Sequence, residues 1–199
     1  MFAHSLRVAA LSSSIDSAVV VFPEGDLEAA SRMASGLRDT VPVTAVVAGG
    51  ATRRESVHRG LGLVPDDAAL VVCQDAARPF ASPDLYDRVV RGVTGEFRGA
   101  VPGIRIADTV KRVESGRVSE TLSRDELVLV QTPQAFDAPA LRETHERAAA
   151  EGWEATDDAM LLERAGLAVA VVPGEEMNFK VTSEADLRRA ESLVASSEL

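Results

Sequence analysis

Apolar positions along this chain keep two alternating rhythms. Phe2, Leu6, Val8, Ala9 and Leu11 recur at near-helical spacing, and the β-branched run "SAVVVF" follows as a short buried strand. "GDLEAASRMASGLRD" places Leu27, Ala30, Met33 and Leu37 on one helical face, and "VPVTAVVAGG" reads as a second strand with its loop. "TRRESVHRGLGLV" predicts a helix with Thr52 as N-cap and Glu55 three residues on, the capping-box spacing. "ALVVCQ" is a third strand, and "SPDLYDRVVRGV" a helix capped by Ser82 with Pro83 in its first turn. Strands apolar on both faces, separated by helices, predict an α/β fold: a doubly wound, mostly parallel, Rossmann-like sheet covered on both sides.

From residue 99 to 136 the rhythm shifts to shorter alternating β segments around Ser115 and Gly116, which predicts a β-hairpin arm, about 105–125, leaving the sheet and returning. Helices near 138–151 and 157–165, the strand "AVAVVPG", the segment "MNFKVTS" and a closing helix from Ser183 complete the pattern. No linker or low-complexity tract interrupts it, so residues 1–199 read as a single domain. The opening is unusual for this architecture. Such sheets begin on a strand whose following loop carries phosphate-binding glycines, whereas this sequence begins in a helix.

Composition narrows the function. The net charge of −10 argues against affinity built on nonspecific attraction to nucleic acid phosphates. Cys73 is the lone cysteine, set in an apolar strand where an inert core thiol is expected, and no internal disulfide can form; a reducing cytoplasm fits. His4, His58 and His145 show neither metal-ligand nor Ser/His/Asp spacing. No apolar run reaches membrane-spanning length, and "MFAHSLRVAALSSS" lacks the basic start and long core of a secretory signal. Arginine supplies nearly all the positive charge, and the two lysines are Lys111 and Lys180.

Candidate chemistry sits at the carboxyl ends of the predicted strands, where ligands collect in such sheets. In "CQDAARPF", Asp75 could hold Mg²⁺ while Arg78 faces a phosphate; a surface salt bridge in a Pro-ended loop is the competing reading. In "AVVAGGATRRESV", a glycine pair before a capped helix lets a nucleotide base or phosphate approach the backbone, or makes a tight turn with a solvated basic face at Arg53, Arg54 and Arg59. "ADTVKR", "LVQTPQAF", "TDDAM" and "NFKVTS" mix a Thr hydroxyl with charged or amide groups near β edges, suited to gripping phosphate oxygens, and each is also a plausible turn or cap, Thr156 as a helix cap among them.

In this order, "GGATRRESV", "DAARPF", "DTVK", "QTPQAF", "TDDA" and "NFKVT" resemble the motifs of the 2-C-methyl-D-erythritol 4-phosphate cytidylyltransferase family, over nearly the whole chain. The resemblance implies a nucleotide-diphospho-sugar transferase-like fold and a reaction of CTP with methylerythritol phosphate that releases pyrophosphate, assisted by Mg²⁺. It implies that Gly49, Gly50, Ala51, Ser56, Asp75 and Ala76 bind the nucleotide, with Asp75 also the metal ligand. Arg78, Thr109, Arg124, Thr132, Thr156, Lys180 and Thr182 would hold the acceptor and phosphates; Asp75 and Lys180 would be catalytic. It further implies a homodimer joined through the arm, with Arg124 reaching across. Two departures stand out. Gln74 occupies a position where the family usually has His, and the family's opening strand and A-A-G-x-G-x-R loop have no counterpart, so the chain reads as N-terminally incomplete and its activity in this form as compromised. A ribitol 5-phosphate cytidylyltransferase and a catalytically inactive nucleotide-binding homologue are the alternatives.

Overall fold

The computed structural model describes residues 1–37 and 40–196. Its elements follow the predicted alternation: α1 (Phe2–Ala9), β1 (Ala18–Phe22), α2 (Leu27–Gly36), β2 (Val43–Ala48), α3 (Arg53–Leu61), β3 (Leu70–Cys73), α4 (Pro83–Gly92) and β4 (Phe97–Arg105). Then come β5 (Lys111–Glu114), β6 (Arg117–Thr121), β7 (Val128–Val130), β8 (Gln134–Asp137), α5 (Ala138–Glu151), α6 (Asp158–Arg164), β9 (Ala168–Pro173) and α7 (Glu184–Ser196). The helix expected over 25–39 opens instead with a single 3-10 turn at Glu24–Asp26, and its residues 38 and 39 lie outside the described residues.

Local chemistry sets the helix starts. Thr52 Oγ1 accepts from the Glu55 amide at 3.1 Å, as the spacing predicts, but the Glu55 carboxylate reaches back one residue further than in a capping box, to the Ala51 amide at 2.8 Å. Ser82 Oγ accepts from the Leu85 amide at 3.1 Å and donates to Glu175 at 2.6 Å, so the start of α4 is tied to the loop after β9.

The central strands bury both faces. On β3, Val72 packs with Leu6, Val20, Leu85 and Tyr86 beneath α1 and α4, whereas Val71 and Cys73 pack with Leu61, Phe136, Leu141 and Leu162 beneath α3, α5 and α6. That alternation is the period-two signature of a strand between two helical layers. Leu85 and Val89 on α4 are fully buried, each stabilising the fold by about 1.5–3 kcal/mol on transfer grounds. Gly92 allows the close approach of α4 to the sheet: a Cβ there would lie 2.7 Å from Ala100 Cβ.

The doubly wound α/β arrangement is the one the sequence pattern predicts, with one elaboration. The strands form three ladders among the described residues: β1 and β2 pair in parallel, β3-β8-β4-β7 form a second with β9 parallel to β4, and β5 and β6 form a third. Because β8 runs against both β3 and β4, strands β3, β4 and β9 share one direction, and β7 and β8 oppose it. Between β1 and β3 runs a groove of about 1350 Å³, bordered along both strands by Val19, Val21, Leu70 and Val72 and at its carboxyl end by Gly49, Gly50, Arg53 and Asp75.

The arm also forms where expected. β5 and β6 pair only with each other, outside the main ladder, around Ser115 at φ 50° and Gly116 at φ 79°. Successive positive φ values give the turn a twist that matches the flanking strands.

Candidate active site

Three loops converge at the carboxyl end of β3. The Asp75 amide donates to Thr132 Oγ1 at 3.0 Å, which ties the loop after β3 to the segment before β8. Gln131 ties that segment to the one after β9: its side-chain amide donates to the Glu175 and Asn178 carbonyls at 2.7 and 3.1 Å and accepts from the Glu175 amide at 3.0 Å. Asn178, fully buried, donates to the Thr132 carbonyl at 2.8 Å, and the Val181 amide donates to the Ala77 carbonyl at 2.8 Å. Buried amide groups hold their loops only when their hydrogen bonds are made, so these contacts fix where Lys180 projects.

Lys180 Nζ meets Asp75 Oδ2 at 2.8 Å across 105 residues of sequence. Asp75 Oδ1 faces Arg53 Nε at 3.4 Å, and Arg53 Nη1 pairs with Asp158 Oδ2 at 2.8 Å. Burial pushes the Asp75 carboxyl upward, but the Lys180 hydrogen bond and the Arg53 charge outweigh it and hold the group below the usual carboxylate range. Asp158 behaves likewise: burial raises it, while the hydrogen bond from His145 and the charge of Arg53 bring it below its ordinary value. Arg78 is pulled down from its usual range by burial, partly offset by Asp75. Its guanidinium donates to the Asn178 carbonyl at 2.9 Å and the Val130 carbonyl at 3.3 Å, and its Nε is buried without a partner among the described residues.

Carboxylates depressed on folding make the protein acid-labile. Their contribution is complete above the unfolded carboxylate pKa of about 3.9 and disappears as pH falls through the lower folded values. The thermal midpoint is therefore expected to stay level from pH 7 to 5 and fall below about pH 4, less steeply in Asp158→Asn. A midpoint that rises on acidification would contradict this assignment of the ion pairs.

Of the sequence candidates, Asp75, Arg78, Thr132, Thr156 and Lys180 line one pocket of about 240 Å³, together with Arg53, Gln131, Gln134 and Asp157. Gly49, Gly50, Ala51, Ser56, Asp75 and Ala76 line the carboxyl end of the groove, and Arg53 and Asp75 belong to both spaces. The Gly50 amide is engaged by Ser56 Oγ at 3.1 Å and the Ala51 amide by Glu55, so these donors serve the turn in this state. Thr109 is exposed on the arm, and Arg124 donates to the Ala107 carbonyl there; neither reaches the pocket of its own chain. Thr182 Oγ1 bonds Asp186 at 3.1 Å and serves the start of α7. Asp157, not Thr156, caps α6, accepting from the Met160 amide at 3.0 Å. Cys73 is a core thiol whose pKa burial drives well upward, as its place in a strand predicts.

The sequence profile described as IspD, 2-C-methyl-D-erythritol 4-phosphate cytidylyltransferase, matches residues 1–196. The chain belongs to this family. A Synechocystis protein named 2-C-methyl-D-erythritol 4-phosphate cytidylyltransferase is 36% identical over 195 residues, covering 98% of this chain and 84% of its own length. A bifunctional IspD/IspF enzyme of Nitratidesulfovibrio vulgaris is 44% identical over 186 residues, covering 92% of this chain and 47% of its own length. The chain thus spans about half the length of the bifunctional relatives it matches. Among solved structures, 4-diphosphocytidyl-2C-methyl-D-erythritol synthase of Anaerococcus prevotii superposes with a TM-score of 0.88 at 27% identity, covering 98% of this chain and 88% of that one. The Thermus thermophilus 2-C-methyl-D-erythritol 4-phosphate cytidylyltransferase gives 0.76 at 34% identity, covering 96% and 86%. The IspD fold therefore frames the pocket, and within the described residues no helix is long and apolar enough to cross a membrane.

The sequence reading leaves Asp158, Gln131 and Asn178 without a site role, puts Arg53 on a solvated basic face and gives His145 no role. For two of them a signal existed. Asp158 precedes Leu161 and Leu162 by three and four positions, and His145 lies between Leu141 and Ala148 at helical spacing, so both share a face with core leucines or alanines. A polar or titratable residue on an apolar helix face requires a buried partner.

Proposed function

We propose that the chain transfers the cytidylyl group of CTP to 2-C-methyl-D-erythritol 4-phosphate, releasing pyrophosphate, in the non-mevalonate synthesis of isoprenoid precursors. The observation that carries this reading is the meeting of Asp75, Arg78, Thr132, Thr156 and Lys180 in one pocket, adjoining the glycine turn before α3. Family membership supplies the substrates.

An oxygen of the acceptor's phosphate monoester attacks the α-phosphorus of CTP, the α–β bridging bond breaks, and its electron pair leaves with pyrophosphate. That nucleophile is already anionic at neutral pH, so no general base is required; what lowers the barrier is positive charge where the phosphates crowd together. Lys180 and Arg78 supply it, while Thr132 and Thr156 offer hydroxyls to phosphate or acceptor oxygens. The turn at Gly49, Gly50 and Ala51, with Ser56 and Ala76, receives the cytidine.

The residues fit a Mg²⁺ ion carried mainly by substrate phosphates. Asp75 is a hard oxygen ligand at the pocket wall, and among the described residues no group of three or more His, Cys, Asp or Glu side chains gathers to bind an ion unaided. A bound Mg²⁺ would neutralise phosphate charge, and Asp75 is the residue that would hold it there. When Lys180 turns to a phosphate, it releases Asp75 Oδ2 for that role.

The protein acts as a cytoplasmic homodimer whose arm carries Thr109 and Arg124 to the partner's pocket. Exposed aliphatic residues on the arm and its base, Val113, Val118 and Leu129, support this contact. Replacing Val113 and Val118 with Glu is expected to convert a dimer to a monomer in analytical ultracentrifugation; unchanged sedimentation would remove the arm from the interface. The acceptor is tested by offering methylerythritol phosphate and ribitol 5-phosphate separately with CTP. Faster pyrophosphate release with ribitol 5-phosphate would overturn the assignment.

A further inference from the structure

Two of the most deeply buried polar side chains lie behind the pocket. Asp158, in the first turn of α6, is 1% exposed, and His145, on α5, is 0% exposed. Their contact is direct, His145 Nε2 to Asp158 Oδ1 at 3.0 Å, and the other ring nitrogen, Nδ1, has no hydrogen-bond partner among the described residues. The imidazole also stacks on His58 of α3, with ring centroids 6.0 Å apart. Burying a carboxylate this completely is strongly unfavourable unless it is well paired. Stability alone would be served as well by an apolar side chain packed among Leu141, Leu161 and Leu162.

The geometry suggests what the pair does. Arg53 stands between two carboxylates, with Nη1 at 2.8 Å from Asp158 Oδ2 and Nε at 3.4 Å from Asp75 Oδ1. The shorter contact is an ion pair to the buried partner, so Asp158 anchors the guanidinium, while Nε donates to Asp75 Oδ1 and sets where that carboxylate presents its oxygens. His145 holds the other oxygen of Asp158 and thereby fixes the carboxylate's rotation. Without that hold, Arg53 would lose its fixed anchor, and the Asp75 carboxylate that its Nε engages would lose its fixed aim into the pocket.

We propose that Asp158 and His145 are positioning residues: a buried carboxylate, oriented by a histidine, anchors Arg53, and Arg53 Nε in turn holds Asp75 Oδ1 so that the Asp75 carboxylate stays aimed into the pocket. The consequence for turnover rests on the cytidylyl-transfer reading; the fixing of Arg53 does not.

The test compares His145→Gln, whose amide can donate in place of Nε2, with His145→Leu, which cannot donate, in the full chain. Two readouts are taken: the ordering of the Arg53 Nε–Hε group by ¹⁵N relaxation, its resonance assigned by its disappearance in Arg53→Lys, and kcat with CTP and methylerythritol phosphate per folded molecule. The expected result is a rigid Arg53 and near-normal kcat in His145→Gln, with a mobile or displaced Arg53 and about tenfold lower kcat in His145→Leu, KM for CTP changing less. An Arg53 equally rigid in both variants overturns the proposal. So does an undiminished kcat in His145→Leu with Arg53 displaced. Should the unsubstituted chain show no transfer while Arg53 still depends on His145, the positioning role stands and the assigned reaction fails.

Discussion

Asp75→Asn is expected to lower turnover by about a hundredfold or more, with the folded structure retained. The change keeps the side chain's shape and removes its charge. Lys180 Nζ lies 2.8 Å from one oxygen and Arg53 Nε 3.4 Å from the other, so an Asn amide nitrogen would have to face one of these cations while its single oxygen serves the other. On the proposed function it would also be a far poorer ligand for Mg²⁺. Steady-state kinetics of the folded variant checks this. Unchanged turnover would take Asp75 out of the site and leave its ion pairs as surface structure.

Lys180→Ala should cost roughly a hundredfold in kcat/KM, as removal of a charge-stabilising donor commonly does, and leave the fold intact. Lys180 is half exposed at the mouth of the pocket, so its removal opens no core cavity. Its segment is held by other groups: Asn178 to Thr132, the Val181 amide to Ala77, and Gln131 to Glu175. Circular dichroism and thermal unfolding alongside the kinetics separate the two roles. If the variant unfolds at temperatures where the parent is native, Lys180 is a structural pin rather than a phosphate-binding cation.

Much of the fold was legible because its signals are local. The helix start at Thr52 and the Pro-led start of α4 after Ser82 rest on side chains that meet amides three residues away, within reach of a sequence reading. The Ser115-Gly116 turn was equally readable, since it needs residues that tolerate positive φ. What stayed hidden depends on pairings between distant segments. The separation of the β1–β2 ladder from the one built on β3, β8 and β4 cannot be seen from apolar runs that look alike, because only the path of the chain decides which edges meet.

The candidate site divides the same way. Asp75, Arg78, Thr132, Thr156 and Lys180 were recognisable as polar groups at strand ends, and the fold brings them together. Thr182 carried an identical signal and turned out to serve the α7 start, because a hydroxyl next to an Asp at capping distance cannot be told in sequence from one facing a phosphate. The sequence places Arg53 on a solvated basic face, because its ion pair with Asp158 spans 105 positions, as does that of Lys180 with Asp75. The apolar periodicity around Asp158 and His145 holds the clue that these polar side chains point inward.

The central claim is that this pocket joins a cytidylyl group to a phosphorylated alcohol. It is tested most directly by ³¹P NMR of the chain incubated with CTP, Mg²⁺ and 2-C-methyl-D-erythritol 4-phosphate. Transfer gives loss of the acceptor's monoester signal, appearance of a new diphosphate diester, and one pyrophosphate per diester formed. CTP bound with the monoester signal unchanged and no pyrophosphate released would contradict it and mark a nucleotide-binding protein without transferase activity.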